Sequence, residues 1–324
     1  MLRVSNTLLA NNMCRYIQNN LQRSAKTQEH SATGRTINRP SDNPSEISHL
    51  MAINATLMGN EQYLRNIQEG LGYLNQSDTA LDSVGKTLQD AKVLALQGAN
   101  DTLTQEDRRA IAEQIDKQIN ALVDLANSSL GGKYLFAGTQ NGMPPFMRNK
   151  NDDKSYYRGN TELVQREILF GSSYAVVTPG VEEAGSANSG VFGKLTANTI
   201  EDPPGSGQIW TEVSGGPLEV LKNLRDQLRA GDTAGINAAL GRLDTAHDEI
   251  LTHRVAVGAR TRHLEAVKEQ LEDQEVKLKA VLIDIQGADI AKLTVEAAQN
   301  QLVHQASLMT AANLLNVSLL QYLK

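Results

Sequence analysis

Ile236, Leu243, Ile250, Val257, Leu264, Leu271, Leu278 and Ile285 follow one another at intervals of seven without a miss. A seven-residue repeat sustained this long asks for one helix with a coiled-coil-like seam. At the rise of an α-helix such a segment is about 75 Å long, more than a compact globule accommodates. Leu240, Val267 and Val281 widen the stripe. Gly258 interrupts it at about 1 kcal/mol relative to Ala, and leaves room for a close helix approach.

The N-terminal half supplies a partner for that seam. Leu50, Leu57, Leu64 and Leu71 are seven apart, and the seam then passes to Ile67, Leu74, Leu81 and Leu88. The pattern predicts a second long helix over 44–98. Thr104, with Asp107 three residues on, resembles a capping box and opens a third helix. Ile111, Ile115, Ile119, Leu122 and Leu125 carry its apolar face, and Gly131 and Gly132 stop it.

After Gly132 the period changes from helix to strand. Tyr134 and Phe136 alternate in "KYLFAGT", and "ELVQREILF" and "SYAVVTPG" read as further strands between the turns "YRGN" and "FGSS". Residues 180–217 are rich in Gly, Ser, Asn and Pro, and the middle region reads as a small β-rich lobe with long loops. Pro217 suits the first turn of the helix "PLEVLKNLRDQL", after which "AGD" turns into the long C-terminal helix.

The two termini mirror each other. Leu2, Leu9, Met13, Tyr16 and Ile17 fall on one helical face near the start. Val295, Ala298, Leu302, Ala306, Met309, Val317 and Leu320 form one stripe near the end. "RTINRPSDNPSE" breaks the chain between the first two helices. Arg39–Pro40 is expected to end the first, because the residue before Pro disfavours the α region, and Ser41 or Asp42 to turn the chain. "IQGADIA" around Gly287 makes a matching break on the way back. Arg39, Pro40, Asp42 and Gly287 therefore mark a joint. The expected fold is mainly α. A long antiparallel coiled-coil-like rod (44–138 with 217–286) stands between paired terminal helices (1–43 with 287–324) and a small β-rich outer lobe (139–216).

Aromatic residues make up 4% of a chain that is 40% hydrophobic, so Leu, Ile, Val and Ala carry most of the packing. The formal charge of -6, with scattered Lys and Arg, lacks the basic patch that nucleic acid needs. No run of apolar residues is long enough to span a membrane, and the first residues lack the apolar core of a cleaved secretory signal. Cys14 is the only cysteine, so no intrachain disulfide forms, and a small buried apolar role is expected for it. His247, Glu249 and His253 are the best candidates for metal chemistry. The two histidines are six apart rather than four, which points their side chains about 120° apart on a helix. Asp152–Asp153 and Glu182–Glu183 read as solubility charges. Nothing needed for catalysis converges, and no catalytic residue, metal or cofactor is expected.

These segments together resemble the flagellin superfamily. "RTINRPSDNPSE" looks like its N-terminal signature. "LGGKYLFAGTQNG", "VAVGARTRHLE" and "IQGADIAKLTVEAAQNQLVHQASLMTAANLLNVSLLQYL" are similar to its segments after the helical pair, in the middle of the long helix and at the C-terminus. About two thirds of the chain is covered, and 139–216 matches only loosely. The resemblance implies a non-enzymatic building block of the bacterial flagellum, exported without a cleaved signal by a type III route. It would join the hook-associated region to the flagellin filament, with flagellin itself as the alternative and an unrelated secreted coiled-coil scaffold as the second. The implied partners are the first hook-associated protein, flagellin, further copies of the chain and an export chaperone at the C-terminal segment. The implied assembly interface is Leu2, Leu9, Met13, Tyr16 and Ile17 with Val295, Leu302, Met309, Val317 and Leu320.

Overall fold

A computed structural model describes residues 6–149, 152–183, 186, 190–203 and 207–322, with side chains at 6–7, 9–10 and 313–322 left aside. Six α-helices carry most of it: α1 Asn6–Thr33, α2 Pro44–Gly98, α3 Gln105–Ala126, α4 Gly216–Ala230, α5 Thr233–Gln286 and α6 Ile290–Tyr322. Eight short strands lie between α3 and α4: β1 Ser129–Leu130, β2 Lys133–Tyr134, β3 Phe146–Arg148, β4 Ser155–Tyr157, β5 Gln165–Leu169, β6 Ser172–Ala175, β7 Lys194–Glu201 and β8 Ile209–Ser214. The fold is mainly α with a small β part, as the periodicity predicts. The chain divides into two compact units, residues 1–59 with 273–324 and residues 60–272.

In the 60–272 unit, α2 and α5 run antiparallel. Their register is visible in the cross-pairs Asp82–Arg254 (2.7 Å), Gln89–His247 (3.0 Å) and Lys92–Asp244 (2.5 Å). The heptads form the seam between them. Ile67, Leu74, Leu81 and Leu88 are buried on α2, and Ile236, Leu243, Ile250, Val257, Leu264 and Leu271 on α5. The handover from the Leu64–Leu71 series to the Ile67 series is real, because Leu64 and Leu71 are only partly buried. Beyond Leu271 the stripe loosens: Leu278 and Ile285 are half-buried and Val281 is exposed. A Cβ on Gly258 would meet nothing within 4 Å, so that glycine does not mark a close helix approach.

The capping box opening α3 is present. The Thr104 hydroxyl accepts from the Asp107 N–H (3.2 Å), and the Asp107 carboxylate accepts from the Thr104 N–H (3.1 Å). Pro217 sits in the first turn of α4, and Gly231 ends that helix in the left-handed region at φ 73.

The β part differs from the expectation. "KYLFAGT" is not an alternating strand: only Lys133–Tyr134 pairs, with β1, and Leu135, Phe136 and Ala137 are all buried in the turns that follow. The Gly-, Ser-, Asn- and Pro-rich stretch, in which the sequence singles out no particular strand, holds the longest strand. β7 and β8 form a hairpin that completes an antiparallel sheet of order β3-β4-β8-β7. β5 and β6 form a separate hairpin with Phe170–Gly171 at its tip. The scarce aromatics are concentrated here. Three of the four Phe pack together with Tyr157, with ring centroids 5.2 Å apart for Phe136–Phe192 and 4.9 Å for both Phe146–Phe192 and Phe146–Tyr157.

Candidate assembly interface and joint

α1 ends before the position that the prolines suggest. Thr33 is its last residue, and Gly34 follows at φ 66, where its N–H still donates to the His30 carbonyl at 2.9 Å. A left-handed residue after the last turn is the usual helix stop, and glycine takes it without a Cβ clash. Arg39–Pro40 therefore lies inside the connection and does not end the helix. α5 and α6 break at residues 287–289, as expected.

The two breaks are bonded to each other. The Thr36 N–H donates to the Gln286 carbonyl (2.8 Å), the Ala288 N–H donates to the Gly34 carbonyl (3.0 Å), and Arg35 and Gly287 form an antiparallel bridge. Ile37, Leu50, Ile53 and Leu293 are buried in the same unit. Asp42 organises the N-terminal side. Its carboxylate accepts from the N–H groups of Asn38 (3.1 Å) and Arg39 (2.9 Å) and pairs with Lys26 (3.1 Å). Arg39 also reaches Glu29 at 3.2 Å, while Pro40 is exposed. The Arg39 N–H, then Lys26, then the Asn38 N–H hold the Asp42 pKa down at about 2 from its ordinary 3.8.

A carboxylate with a lowered pKa supports the fold fully above its ordinary pKa, and that support is lost as pH falls through the lowered one. Asp42 is therefore expected to titrate near 2 in an NMR carboxyl titration, and Asp42→Ala to speed amide exchange at Asn38 and Arg39 at neutral pH. A midpoint at 3.8 would mean that the backbone donors do not face it.

Beyond the joint, α1 and α6 pair antiparallel. Asn20 donates to the Ser307 hydroxyl (3.0 Å) and Asn300 to the Thr27 hydroxyl (3.1 Å). The residues named as an interface divide into three sets. Met13 and Ile17 are half-buried in the pair. Tyr16, Val295, Leu302 and Met309 are exposed by 55%, 65%, 68% and 70%, so the described residues leave most of these large apolar groups uncovered. Leu2 and the side chains of Leu9, Val317 and Leu320 lie outside the described residues. Cys14 is exposed, which removes the expectation of a buried apolar role.

His247 meets Gln89 across the α2–α5 pair. Among the described residues, no group of three or more His, Cys, Asp or Glu could hold a metal ion, and no helix is long and apolar enough to cross a membrane. Glu182 extends the sheet edge through its backbone (Glu182 N–H to the Gly193 carbonyl, 3.2 Å), and Glu183 accepts from Thr161 (3.3 Å).

Asp152–Asp153 is a correction of larger consequence. Asp152 accepts from the Tyr156 hydroxyl, and Asp153 belongs to a half-buried ionic ring. Arg148 and Arg225 each bond both Asp116 and Asp153: Arg148 at 2.6 Å and 2.7 Å, Arg225 at 2.9 Å and at a closer contact. Asp226 adds a further bond to Arg225 (2.6 Å) and Asn120 one to Arg148 (2.9 Å). The ring ties α3, α4 and the β3–β4 turn together. Burial works against the charge on Arg225, and its bonds to Asp153, Asp116 and Asp226 outweigh that and raise its pKa. The bond from Arg148 chiefly lowers the Asp116 pKa against burial. For Asp153, burial is the largest influence and raises the pKa, and Arg225 and Arg148 together reverse it. Partners at sequence separations of 32, 72 and 109 left no local signal for this ring.

Comparisons with known proteins agree with this architecture. Residues 4–141 match the bacterial flagellin N-terminal helical region and residues 240–323 the bacterial flagellin C-terminal helical region. Flagellar hook-associated protein 3 of Escherichia coli (strain K12) is 23% identical over 331 residues, covering 100% of both chains. Flagellin of Bacillus subtilis (strain 168) is 25% identical over 335 residues, again with 100% of both chains covered. The fold is similar to that of the flagellar junction protein FlgL from Legionella pneumophila. That match has a TM-score of 0.54 and 17% identity, and covers 74% of this chain and 99% of that one. With both helical regions matched in order across most of its length, the chain belongs to the bacterial flagellin family.

Proposed function

We propose that this flagellin-family chain is the structural subunit at the junction between the hook-associated region and the flagellin filament. The observation that carries this reading is the end-to-end similarity to hook-associated protein 3, joined to the fold of a flagellar junction protein. The exposed apolar groups on the α1–α6 pair support an assembly role, because large apolar groups left uncovered in one chain are the usual mark of a surface that another protein covers. In this reading the terminal pair (1–43 with 287–324) makes the assembly contacts through Leu2, Leu9, Met13, Tyr16, Ile17, Val295, Leu302, Met309, Val317 and Leu320. The connection with Arg39, Pro40, Asp42 and Gly287 acts as its joint. The helical part is 44–138 with 217–286, and 139–216 is the outward lobe.

The partners are the first hook-associated protein on one side, flagellin on the other and further copies of the chain alongside. An export chaperone holds the C-terminal segment before type III export. The chain resides in the cytoplasm before export and outside the cell afterwards. It works without catalysis, metal or cofactor. Flagellin itself is the second reading, favoured by the equally complete match to a flagellin. Electron microscopy of flagella carrying labelled protein separates the two. Label confined to a narrow zone beside the hook is the expected result. Label along the whole filament would establish the flagellin reading, and no association with flagella would overturn both.

A further inference from the structure

The α1–α6 seam is mixed: Met13, Ile17 and Leu293 lie in it, but its middle is polar. The half-buried or buried positions on α1 include Asn20, Ser24 and Thr27, and those on α6 include Asn300, His304 and Ser307. Leu21, Val295, Leu302 and Met309 lie exposed instead. Val295, Leu302 and Met309 repeat every seven residues, so they form one stripe along α6. Asn300, two positions before Leu302, is rotated about 160° from that stripe and points into the seam. Left to the hydrophobic effect alone, two such helices would turn the apolar stripe inward. Something specific holds the polar faces together.

The two cross-helix hydrogen bonds supply it. Asn20–Ser307 and Thr27–Asn300 lie seven residues apart on each helix, so the same polar layer recurs one heptad further along. Rotating either helix to bury the stripe would break both bonds and carry apolar groups onto the polar side chains of the other. A heptad slip is also penalised. A one-heptad slip keeps one polar layer and loses the other: one way sets Asn20 against Asn300 but Met13 against Ser307 and Thr27 against Leu293, and the other sets Thr27 against Ser307 but Asn300 against Gly34. In helix pairs, buried polar residues fix alignment at a cost in stability, because an unbonded buried amide is expensive.

We infer that Asn20, Thr27, Asn300 and Ser307 are orientation-setting residues. They choose which faces of the terminal helices meet, and so keep the Val295–Leu302–Met309 stripe turned outward. The inference concerns the pair within one chain and stands whether or not the stripe meets a flagellar partner.

Thiol labelling of the full chain, dilute and in a Cys14→Ser background, is the test. One reporter is Leu302→Cys on the exposed stripe, and the other is Ala311→Cys, half-buried in the seam. With the native seam, Leu302→Cys is expected to label fast and Ala311→Cys slowly. Adding Asn20→Ala and Asn300→Ala should exchange the two, slowing the stripe reporter and speeding the seam reporter. Unchanged rates at both sites would mean that the joint alone sets the orientation, and would overturn the inference. Equal fast labelling at both would overturn it as well, because the bonds would then hold the helices together without choosing a face.

Discussion

Arg225→Ala is expected to destabilise the 60–272 unit by about 1.5–3 kcal/mol, the loss of charge-assisted hydrogen bonds from a ring whose carboxylates are only partly buried. The guanidinium is 3% exposed and holds Asp116, Asp153 and Asp226 at once. Without it Arg148 alone faces Asp116 and Asp153, and a negative charge is left uncompensated where α3, α4 and the β3–β4 turn meet. Arg229→Ala on the same helix is the control. Its pair with Glu113 joins side chains that are 44% and 66% exposed, and an exposed pair contributes only about 0–1 kcal/mol. Trp210, the only Trp, is buried on β8 and reports the unfolding of this unit. The pH dependence gives a second check. Both Asp116 and Asp153 have lowered pKa values, so the ring supports the fold above the ordinary 3.8 and loses that support as pH falls through the lowered values. The gap between native chain and Arg225→Ala should narrow over that range. A gap that stays constant, or an effect no larger than that of Arg229→Ala, would mean that the ring does not bind the three elements.

The second large effect is expected at Leu264→Ala, about 2–5 kcal/mol. Leu264 is fully buried in the α2–α5 seam. A Cβ on Gly70 would stand 2.7 Å from Val176 Cγ1 and 3.3 Å from Leu264 Cδ1, so the glycine leaves the room that both side chains fill. The loss combines the transfer energy of the deleted methyls with the cavity that a tightly packed seam cannot fill. Glu265, one residue on, is exposed, and Glu265→Ala should change stability by less than about 0.5 kcal/mol. Thermal melts of the two variants decide it, and equal effects would place the seam on another face of α5.

What the sequence reveals here follows how local each signal is. The heptads of α2 and α5 repeat many times within one helix, so the buried positions Ile67 to Leu88 and Ile236 to Leu271 could be read directly. The Thr104–Asp107 box and Pro217 are equally local. The end of α1 is legible too: Gly34 after Thr33 is itself a stop signal, although Pro40 is the more conspicuous one. β7 and β8 were hidden because strand pairing is a long-range property and their segment is rich in turn residues. The ionic ring was hidden for a stronger reason. Asp153 looks like a solvated loop residue until the fold brings Arg225, 72 positions away, against it. On the terminal helices the apolar stripe could be read, and the polar seam opposite it could not. Side-chain pairs such as Thr27–Asn300 have no signature along the chain.

The α1–α6 pairing also has a kinetic side. Asn300 and Thr27 are separated by 273 residues, and Ser307 and Asn20 by 287. Closing a flexible loop of that size costs about 5 kcal/mol in chain entropy beyond a constant. Contacts this far apart are favoured only after the intervening chain has shortened the path between them. The antiparallel α2–α5 pair does this, because it brings the chain from Asn60 and the chain leading to Glu272 back side by side. The terminal pair is therefore the last part to close. A chain delivered from one end carries its first helix unpaired until the last thirty or so residues arrive, so loss of the C-terminal segment leaves α1 without its partner however well the centre has folded.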